Sequence, residues 1–191
     1  MRLLDLNNKY TDKDTTHSYL DLYDILLKPL QHTATHVLEV GIGNFEEKNG
    51  GSLLLWTKYF SKATTYGIDI LPISRVLDDV INDPTIKLFC EKDAYTQEFI
   101  TENLGDTKFD LLLDDGPHTL ESQLKFIELY TPLLSETGIL MVEDVSDIKH
   151  LELLKNKTPE HLKKYIKTFD LRHIKGRGDD IVFAIDRVVR S

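Results

Sequence analysis

The feature of this sequence that most constrains its fold is an alternation of short apolar runs with longer amphipathic stretches. Parallel strands cannot be joined by tight turns, so a chain that builds a parallel sheet must place a crossover, usually a helix, between them. The alternation therefore predicts an α/β fold, a Rossmann-like doubly wound and mostly parallel sheet. The predicted strands are His36–Val40, Thr65–Ile70, Ile86–Cys90, Phe109–Asp114 and Gly138–Glu143.

Helical patterns fill the intervals between these strands, and the end of the chain departs from the alternation. Two further runs, Tyr165–Leu171 and Ile181–Asp186, are joined by a glycine-rich turn and predict a C-terminal antiparallel hairpin. We expect one domain over residues 1–191, with residues 1–35 as an N-terminal helical lid segment and residues 36–191 as the core. The predicted helices are His17–Leu30, Ser52–Phe60, Ser74–Ile81, Thr96–Asn103 and Leu120–Leu134, with helical sequence continuing up to Lys164.

The charge and composition of the chain bear on its partners and compartment. A formal net charge of -9 disfavours nucleic acid, because a polyanion requires a basic surface on its partner. No run approaches the roughly 18 apolar residues of a bilayer span, and no signal peptide is recognisable. The single cysteine, Cys90, allows no internal disulfide. These features predict a cytoplasmic protein with neither a nucleic-acid nor a membrane partner.

A glycine turn follows the first predicted strand, in the order Glu39-Val-Gly41-Ile-Gly43. In an open α/β sheet, ligands bind beyond the carboxyl ends of the strands, where glycines let the backbone approach them. A dinucleotide-binding turn needs a third glycine where this chain has Glu46, and Glu47 adds a charge that repels a pyrophosphate. S-adenosylmethionine carries two cationic groups and no phosphate, so an acidic site with Glu39, Gly41 and Gly43 suits it.

Carboxylates also follow the second and third predicted strands. Asp69 is placed to accept hydrogen bonds from ribose hydroxyls, and Asp93 is placed to reach the adenine amino group. Each acid taken alone is equally well explained as a helix cap or a turn residue. Their recurrence at successive strand ends favours the cofactor interpretation.

The fourth and fifth predicted strands end in acidic clusters, Asp114-Asp-Gly-Pro-His118 and Glu143-Asp144. Neighbouring strands lie about 4.8 Å apart, so Asp115, Glu143 and Asp144 are expected to converge, and crowded carboxylates require a compensating cation. Oxygen ligands favour a hard divalent ion, Mg²⁺ first and Mn²⁺ or Ca²⁺ next. In the competing interpretation these acids cap helices or face water.

His118 is the candidate general base of this cluster. A sugar hydroxyl is a poor nucleophile at neutral pH, but a bound cation lowers its pKa and a nearby base can take its proton. Histidine titrates in the useful range, although a lone loop histidine often has a structural role. We therefore expect His118 and Asp115 to carry the chemistry.

Eight segments carry a resemblance to a known family, and they are Thr11–Lys13, His17–Leu20, Leu38–Gly43, Gly51–Leu53, Phe109–His118, Val142–Asp144, Phe169–Arg172 and Gly176–Asp180. The chain resembles the metal-dependent sugar O-methyltransferases of the macrocin and mycinamicin type, which are class I S-adenosylmethionine-dependent methyltransferases with cephalosporin hydroxylase-like relatives. The resemblance implies a divalent ion that also binds acceptor hydroxyls. Asp114 is a further candidate for cofactor binding. Lys13 and Tyr19 precede the first strand and are candidates to fold over the cofactor as a lid, with ordinary surface and core roles as the alternative.

The leading prediction is an enzyme that transfers a methyl group to a hydroxyl of a sugar or sugar-containing small molecule, with a divalent metal. A basic stretch from Ser146 to Gly178 makes a nucleotide-sugar an attractive acceptor. Two alternatives are a hydroxylase-like or non-catalytic relative that keeps the cofactor, and an NAD-dependent oxidoreductase on a Rossmann sheet. The sequence leaves the oligomeric state open, including a homo-oligomer.

Overall fold

The computed structural model describes residues 1–7, 10–43 and 48–190 and contains one mixed sheet. Its strands are β1 (His36–Val40), β2 (Thr64–Ile68), β3 (Ile86–Phe89), β4 (Phe109–Asp114), β5 (Leu134–Val142), β6 (Ile166–Asp170) and β7 (Ile181–Asp186). The strand order is β3-β2-β1-β4-β5-β7-β6. Strands β1 to β5 pair in parallel, whereas β7 is antiparallel to both β5 and β6. The predicted α/β fold, with its C-terminal antiparallel hairpin, is confirmed.

Helices connect the strands as the sequence pattern predicts. The α-helices are α1 (Leu3–Leu6), α2 (Leu20–Leu27), α3 (Gly51–Tyr59), α4 (Asp78–Ile81), α5 (Gln97–Phe99), α6 (Leu120–Tyr130), α7 (His150–Lys157) and α8 (Arg172–Lys175). Helix α5 continues as a π-helical turn to Leu104. Over the described ranges, none of these helices has the length and apolar character needed to span a membrane.

Apolar layers lie on both faces of the sheet. Helices α1 to α3 bury Leu3, Tyr23 and Trp56 on one face, and α6 and α7 bury Phe126 and Leu154 on the other. Strands covered on both sides read as continuous apolar runs, which explains the strength of the strand signal in the sequence. The segment predicted as a lid therefore contributes α1 and α2 to the packed core of the first face.

One helix end and one strand start differ from their predicted positions by four residues, for local reasons. The predicted helix Leu120–Leu134 ends at Tyr130. A 3₁₀ turn at Thr131–Leu133 follows, in which Pro132 donates no backbone hydrogen bond. Strand β5 consequently begins at Leu134, with a register shift against β4 before the predicted start at Gly138.

The predicted helix Ser74–Ile81 is also interrupted. Val76 forms a β-bridge with Asn49, so a 3₁₀ turn at Ile73–Arg75 and the short helix α4 lie on either side of it. A residue that pairs as a strand cannot also continue a helix.

Candidate active site

The strand ends at the centre of the sheet form one row. Val40 pairs with both Ile68 and Asp114, and Asp114 pairs in turn with Val142. Because the pairing is parallel, the residue after each strand projects from the same edge of the sheet. The residues that follow these strands are Gly41, Asp69, Asp115 and Glu143.

The glycine turn after β1 packs tightly against the backbone that follows β4. Gly41 adopts φ +80°, and a Cβ atom there would lie 1.9 Å from the backbone oxygen of Asp115. A Cβ at Gly43 would lie 2.0 Å from the Asn49 side-chain oxygen. Glycine is needed at these positions because the neighbouring chain itself approaches the turn.

A cavity of about 340 Å³ opens beside this turn. Gly41, Gly43 and Asp69 border it, together with Asp93 and Tyr95 beyond β3. Apolar side chains form much of the remaining wall. Its volume and mixed lining are those of a small-molecule site. The apolar lining residues are Val40, Ile68, Ile70, Leu71, Ala94 and Pro117.

Both carboxylates predicted for the nucleoside border this cavity, and both also stabilise loops. Asp69 accepts the backbone N–H of Ile42 and that of Leu71, each at 2.9 Å. Asp93 accepts the N–H of Tyr95 at 2.9 Å in a side-chain turn. A carboxylate oxygen has a second lone pair, so these bonds leave acceptor capacity toward the cavity. Asp69 and Asp93 can therefore stabilise their turns and still accept hydrogen bonds from a cofactor.

Asp114 is buried beneath the cavity rather than in its wall. Its Oδ1 accepts the hydroxyl of Tyr95 at 2.5 Å. Burial raises the pKa of Asp114 to about 7, although the Tyr95 hydrogen bond opposes the shift. Because Tyr95 itself borders the cavity, Asp114 orients one wall of the site and does not line it directly.

Lys13 lies at the centre of a buried group of carboxylates. Its Nζ is 2.6 Å from Glu143 Oε2, 2.7 Å from Asp115 Oδ2 and 3.1 Å from Glu39 Oε1. Burial alone would lower the pKa of Lys13, but these three carboxylates outweigh it and raise the pKa well above its usual value. The charged side chain of Lys13 thus neutralises part of the carboxylate charge for which the sequence predicts a metal ion.

Glu39 and Lys13 are both buried and contact each other, and their predicted cofactor contacts stay predictions. Glu39 is fully buried on the face covered by α3, where it accepts the indole N–H of Trp56 at 2.9 Å. Strand alternation explains this position, since Glu39 shares the face of Val37 and turns away from the glycine turn. Both residues reach the cavity only indirectly, through Asp115.

Tyr19 is also buried beside the acidic edge, and it is not among the residues that border the first cavity. It is 1% exposed, and its hydroxyl donates to Asp144 Oδ1 at 2.5 Å. Tyr23, one helical turn later, donates to Glu143 Oε1 at 2.5 Å. The two rings stack, and His17 stacks on Tyr19 from the other side. The segment before β1 therefore holds the carboxylates of Glu143 and Asp144 in place through hydrogen bonds on their buried side.

Asp115, His118 and Asp144 converge at the surface of this edge. Each offers a ligand atom, and the three atoms lie within 4.8 Å of one another. His118 Nε2 is 3.2 Å from Asp115 Oδ1 and 3.4 Å from Asp144 Oδ2. Adjacent ligands about 2.1 Å from an octahedral ion lie roughly 3 Å apart, so the spacing fits a hard divalent cation. The oxygen-rich donor set also fits Mg²⁺ or Mn²⁺.

The backbone holds two members of this group in unusual conformations. His118 adopts φ 55° and Asp144 adopts φ 51°, in the left-handed region that few side chains other than glycine occupy. Burial would lower the pKa of His118, but Asp115 and Asp144 raise it to about 9. The ring therefore serves as the positive charge between the two carboxylates in the described structure.

Glu143 is adjacent to this group, but its oxygens have other partners. Lys13 contacts one oxygen and Tyr23 the other. The structure thus brings Asp115 and Asp144 together with His118, while Glu143 lies one layer deeper. The metal-ligand role of Glu143 stays a prediction.

A second cavity, of about 260 Å³, adjoins the first at Gly43, Asp115 and Gly116. Its wall includes His118 and, from the N-terminal segment, Thr11 and Asp12. The predicted lid segment borders the site here, and not through Lys13 or Tyr19. The two cavities meet at Asp115, which carries the carboxylate nearest both.

Sequence reasoning missed three supporting residues. Tyr95 and Tyr23 bind the carboxylates described above, and the Gln123 amide donates to the backbone oxygens of Glu143 and Asp144 at 3.1 and 3.3 Å. Tyr19 and Tyr23 are four residues apart, a spacing that places both on one helical face. This spacing was the only sequence signal that could have predicted the role of Tyr23. Nothing in the sequence separates Tyr95 or Gln123 from ordinary core residues. The predicted acidic loop residues Glu46 and Glu47 lie outside the described residues.

The parallel strand order, the glycine turn after β1 and the acidic row beside it are those of the class I methyltransferase fold. Two solved structures support this assignment. The MycE methyltransferase of the mycinamycin pathway, in a complex with Mg and SAH, matches with a TM-score of 0.76 and 22% identity over 97% of this chain and 54% of that one. A Methanococcus jannaschii fibrillarin pre-rRNA processing protein matches with a TM-score of 0.60 and 17% identity, over 81% and 67% of the two chains.

Sequence relatives of the chain include named sugar O-methyltransferases. The chain is 30% identical over 131 residues to a rhamnosyl-tetracenomycin-C 3'-O-methyltransferase of Streptomyces olivaceus, covering 68% of this chain and 32% of the relative. It is 30% identical over 132 residues to the mycinamicin VI 2''-O-methyltransferase of Micromonospora griseorubida, with the same coverage. The chain is thus a homologue of sugar O-methyltransferases that spans about a third of their length. No protein-family model matches it.

Proposed function

We propose that this chain is an S-adenosylmethionine-dependent O-methyltransferase that acts on a hydroxyl of a sugar-containing small molecule with the help of a divalent cation. The observation that carries the proposal is the position of Asp115. Its carboxylate borders both cavities and lies within hydrogen-bond distance of Lys13 and His118. One side chain thus connects a nucleoside-sized cavity, a second cavity and a candidate cation site.

The first cavity suits the nucleoside part of the cofactor. Its apolar walls suit an adenine ring, while Asp69 and Asp93 offer acceptors for hydroxyl and amino groups. The glycine turn leaves backbone accessible between the two cavities, where the methionine part would lie. S-adenosylmethionine, when bound, supplies a methyl group that is already activated by its sulfonium.

The second cavity is the proposed acceptor site. The side chain of His118 is 41% exposed and borders this cavity. A divalent cation held by Asp115 and Asp144 would replace the positive charge of the ring, and the neutral imidazole would then accept the proton of an acceptor hydroxyl. Asp115 and Asp144 would hold the divalent cation, whose contribution is to orient the hydroxyl and lower its pKa. Lys13 and Tyr19 fix the two carboxylates from below, which keeps the site in one geometry.

Hydroxyl and carboxyl groups in this cavity favour a sugar over an aromatic acceptor, and Thr11, Asp12, Thr15 and Ser52 supply them. The nucleotide-sugar alternative rests on the basic stretch from Ser146 to Gly178, which would meet a diphosphate. Lys157 and Lys167 are paired with acids there, as is Arg177. A neutral glycoside is therefore the acceptor that we favour.

Chelation tests the cation requirement. We expect EDTA to reduce the rate of methyl transfer by at least ~100-fold, since a Lewis acid contributes several kcal/mol to such a reaction. Added Mg²⁺ should restore the rate. The assay follows labelled methyl from S-adenosylmethionine into a panel of rhamnosides and other glycosides. A rate unchanged in excess chelator would remove the cation from the proposal.

The glycine turn gives a test of cofactor binding. We expect Gly41→Ala to weaken S-adenosylhomocysteine binding at least ~10-fold in calorimetry, because the left-handed backbone and the Asp115 contact oppose a side chain there. Gly178→Ala is the matched control, since a Cβ at Gly178 would meet no atom within 4 Å. Equal affinities in the two variants would argue against cofactor binding at this turn. Binding of NAD instead would favour the oxidoreductase alternative.

A further inference from the structure

A second group of potential metal ligands adjoins the first. His17, Asp144, Asp179 and Asp180 each offer a ligand atom, and these atoms lie within 4.8 Å of one another. His17 Nδ1 is 2.8 Å from Asp180 Oδ1 and 3.2 Å from Asp144 Oδ1. Both distances are close to the roughly 3 Å that separates adjacent ligands of an octahedral ion.

An unsatisfied buried oxygen points to a ligand at this group. The Asp180 side chain is 0% exposed, and its Oδ2 has no hydrogen-bond partner among the described residues. A buried carboxylate oxygen without a partner is costly, and such atoms are rare in folded proteins. A cation held beside Asp180 would satisfy it.

The charge of the group also calls for a cation. Arg177 binds Asp179 through two hydrogen bonds, at 2.9 and 3.1 Å, but its Nε lies 3.8 Å from Asp180. One guanidinium therefore faces the carboxylates of Asp144, Asp179 and Asp180. His118 also pairs with Asp144, so the group keeps a net negative charge that a bound cation would reduce.

Asp144 connects the two groups with one oxygen in each. Its Oδ2 is 3.4 Å from His118 in the first group, and its Oδ1 is 3.2 Å from His17 in the second. A carboxylate in this position can bridge two cations, and bridged pairs in enzymes are typically about 3.5–4 Å apart.

We propose that His17, Asp144, Asp179 and Asp180 bind a second divalent cation, so that Asp144 bridges a two-cation centre. One imidazole among carboxylates suits Mn²⁺ or Zn²⁺ better than Mg²⁺. The second site rests on the proposed function only through the shared Asp144. Its ligands otherwise come from the N-terminal segment and from the residues that lead into β7.

Titration of the full chain with Mn²⁺, followed by electron paramagnetic resonance, tests the second site. We expect the wild-type chain to bind two ions and Asp180→Asn to bind one. Asp179→Asn provides a second variant at a partly exposed position, and it should also lose one ion. Asp170→Asn is the control, because Asp170 pairs with Arg172 on the surface of the same hairpin.

The outcomes separate the two proposals. A single ion that Asp115→Asn abolishes and Asp180→Asn leaves unchanged would overturn the second site while supporting the first. Loss of an ion in Asp180→Asn and Asp179→Asn, but none in Asp115→Asn, would support the second site and contradict the first. A wild-type chain that binds no Mn²⁺ would overturn both.

Discussion

Asp115→Asn should reduce kcat/KM for methyl transfer by ~10³-fold or more, equivalent to about 4 kcal/mol of transition-state stabilisation. The substitution keeps the size of the side chain and removes its charge. Asp115 contacts Lys13 at 2.7 Å and His118 at 3.2 Å, and it borders both cavities. Removing the negative charge of Asp115 therefore weakens binding of the cation. It also removes the ion pair that orients His118. Initial rates at saturating S-adenosylmethionine measure the effect.

Asp110→Asn is the matched control for this variant. Asp110 lies on the same strand at the opposite end, where its carboxylate accepts the backbone N–H of Thr35 at 2.7 Å. We expect this variant to keep its rate within a few-fold, with any change confined to stability. Circular dichroism and urea denaturation report whether each variant is folded. Activity of Asp115→Asn within about tenfold of wild type would contradict the assigned role.

Lys13→Met should lower the free energy of unfolding by ~3–5 kcal/mol, the usual cost of removing one member of a buried ion pair. The methionine fills the same space, but it leaves Glu39, Glu143 and Asp115 without the ammonium that lies among them. Urea denaturation of the chain measures the change. Lys125→Met, which breaks an exposed helical pair with Glu121, should cost less than ~1 kcal/mol.

A double variant separates charge from packing at Lys13. If uncompensated charge is the cause, Lys13→Met combined with Glu143→Gln should be more stable than Lys13→Met alone, because one buried charge is removed as well. A loss below ~1 kcal/mol in the single variant would mean that Lys13 does not neutralise the cluster.

The strands and the strand-end acids were predictable from the sequence because both depend on local pattern. Buried parallel strands are apolar throughout, and the residues after them must lie at one edge of the sheet. In the structure Asp69 and Asp93 border one cavity, and Asp115 lies near Asp144, while their roles toward cofactor and cation stay predictions. The row from Gly41 to Glu143 follows from the register of the same strands.

The role of Lys13 was not predictable by the same means. It lies 102 residues before Asp115 and 130 before Glu143 in the chain, so no local pattern connects them. Glu39 was assigned to the cofactor by its motif, although strand alternation turns it toward Trp56. The direction of a side chain at a strand end depends on a one-residue change of register. Long-range charge pairing and side-chain direction are therefore what the sequence left undetermined.

A crystal of the chain grown with S-adenosylhomocysteine and Mn²⁺ tests the central claim most directly. Anomalous scattering locates the metal independently of any activity. We predict a Mn²⁺ peak in contact with the carboxylates of Asp115 and Asp144, and S-adenosylhomocysteine in the cavity between Gly41 and Asp93. A metal-free Asp115 with the ligand bound elsewhere would contradict the account.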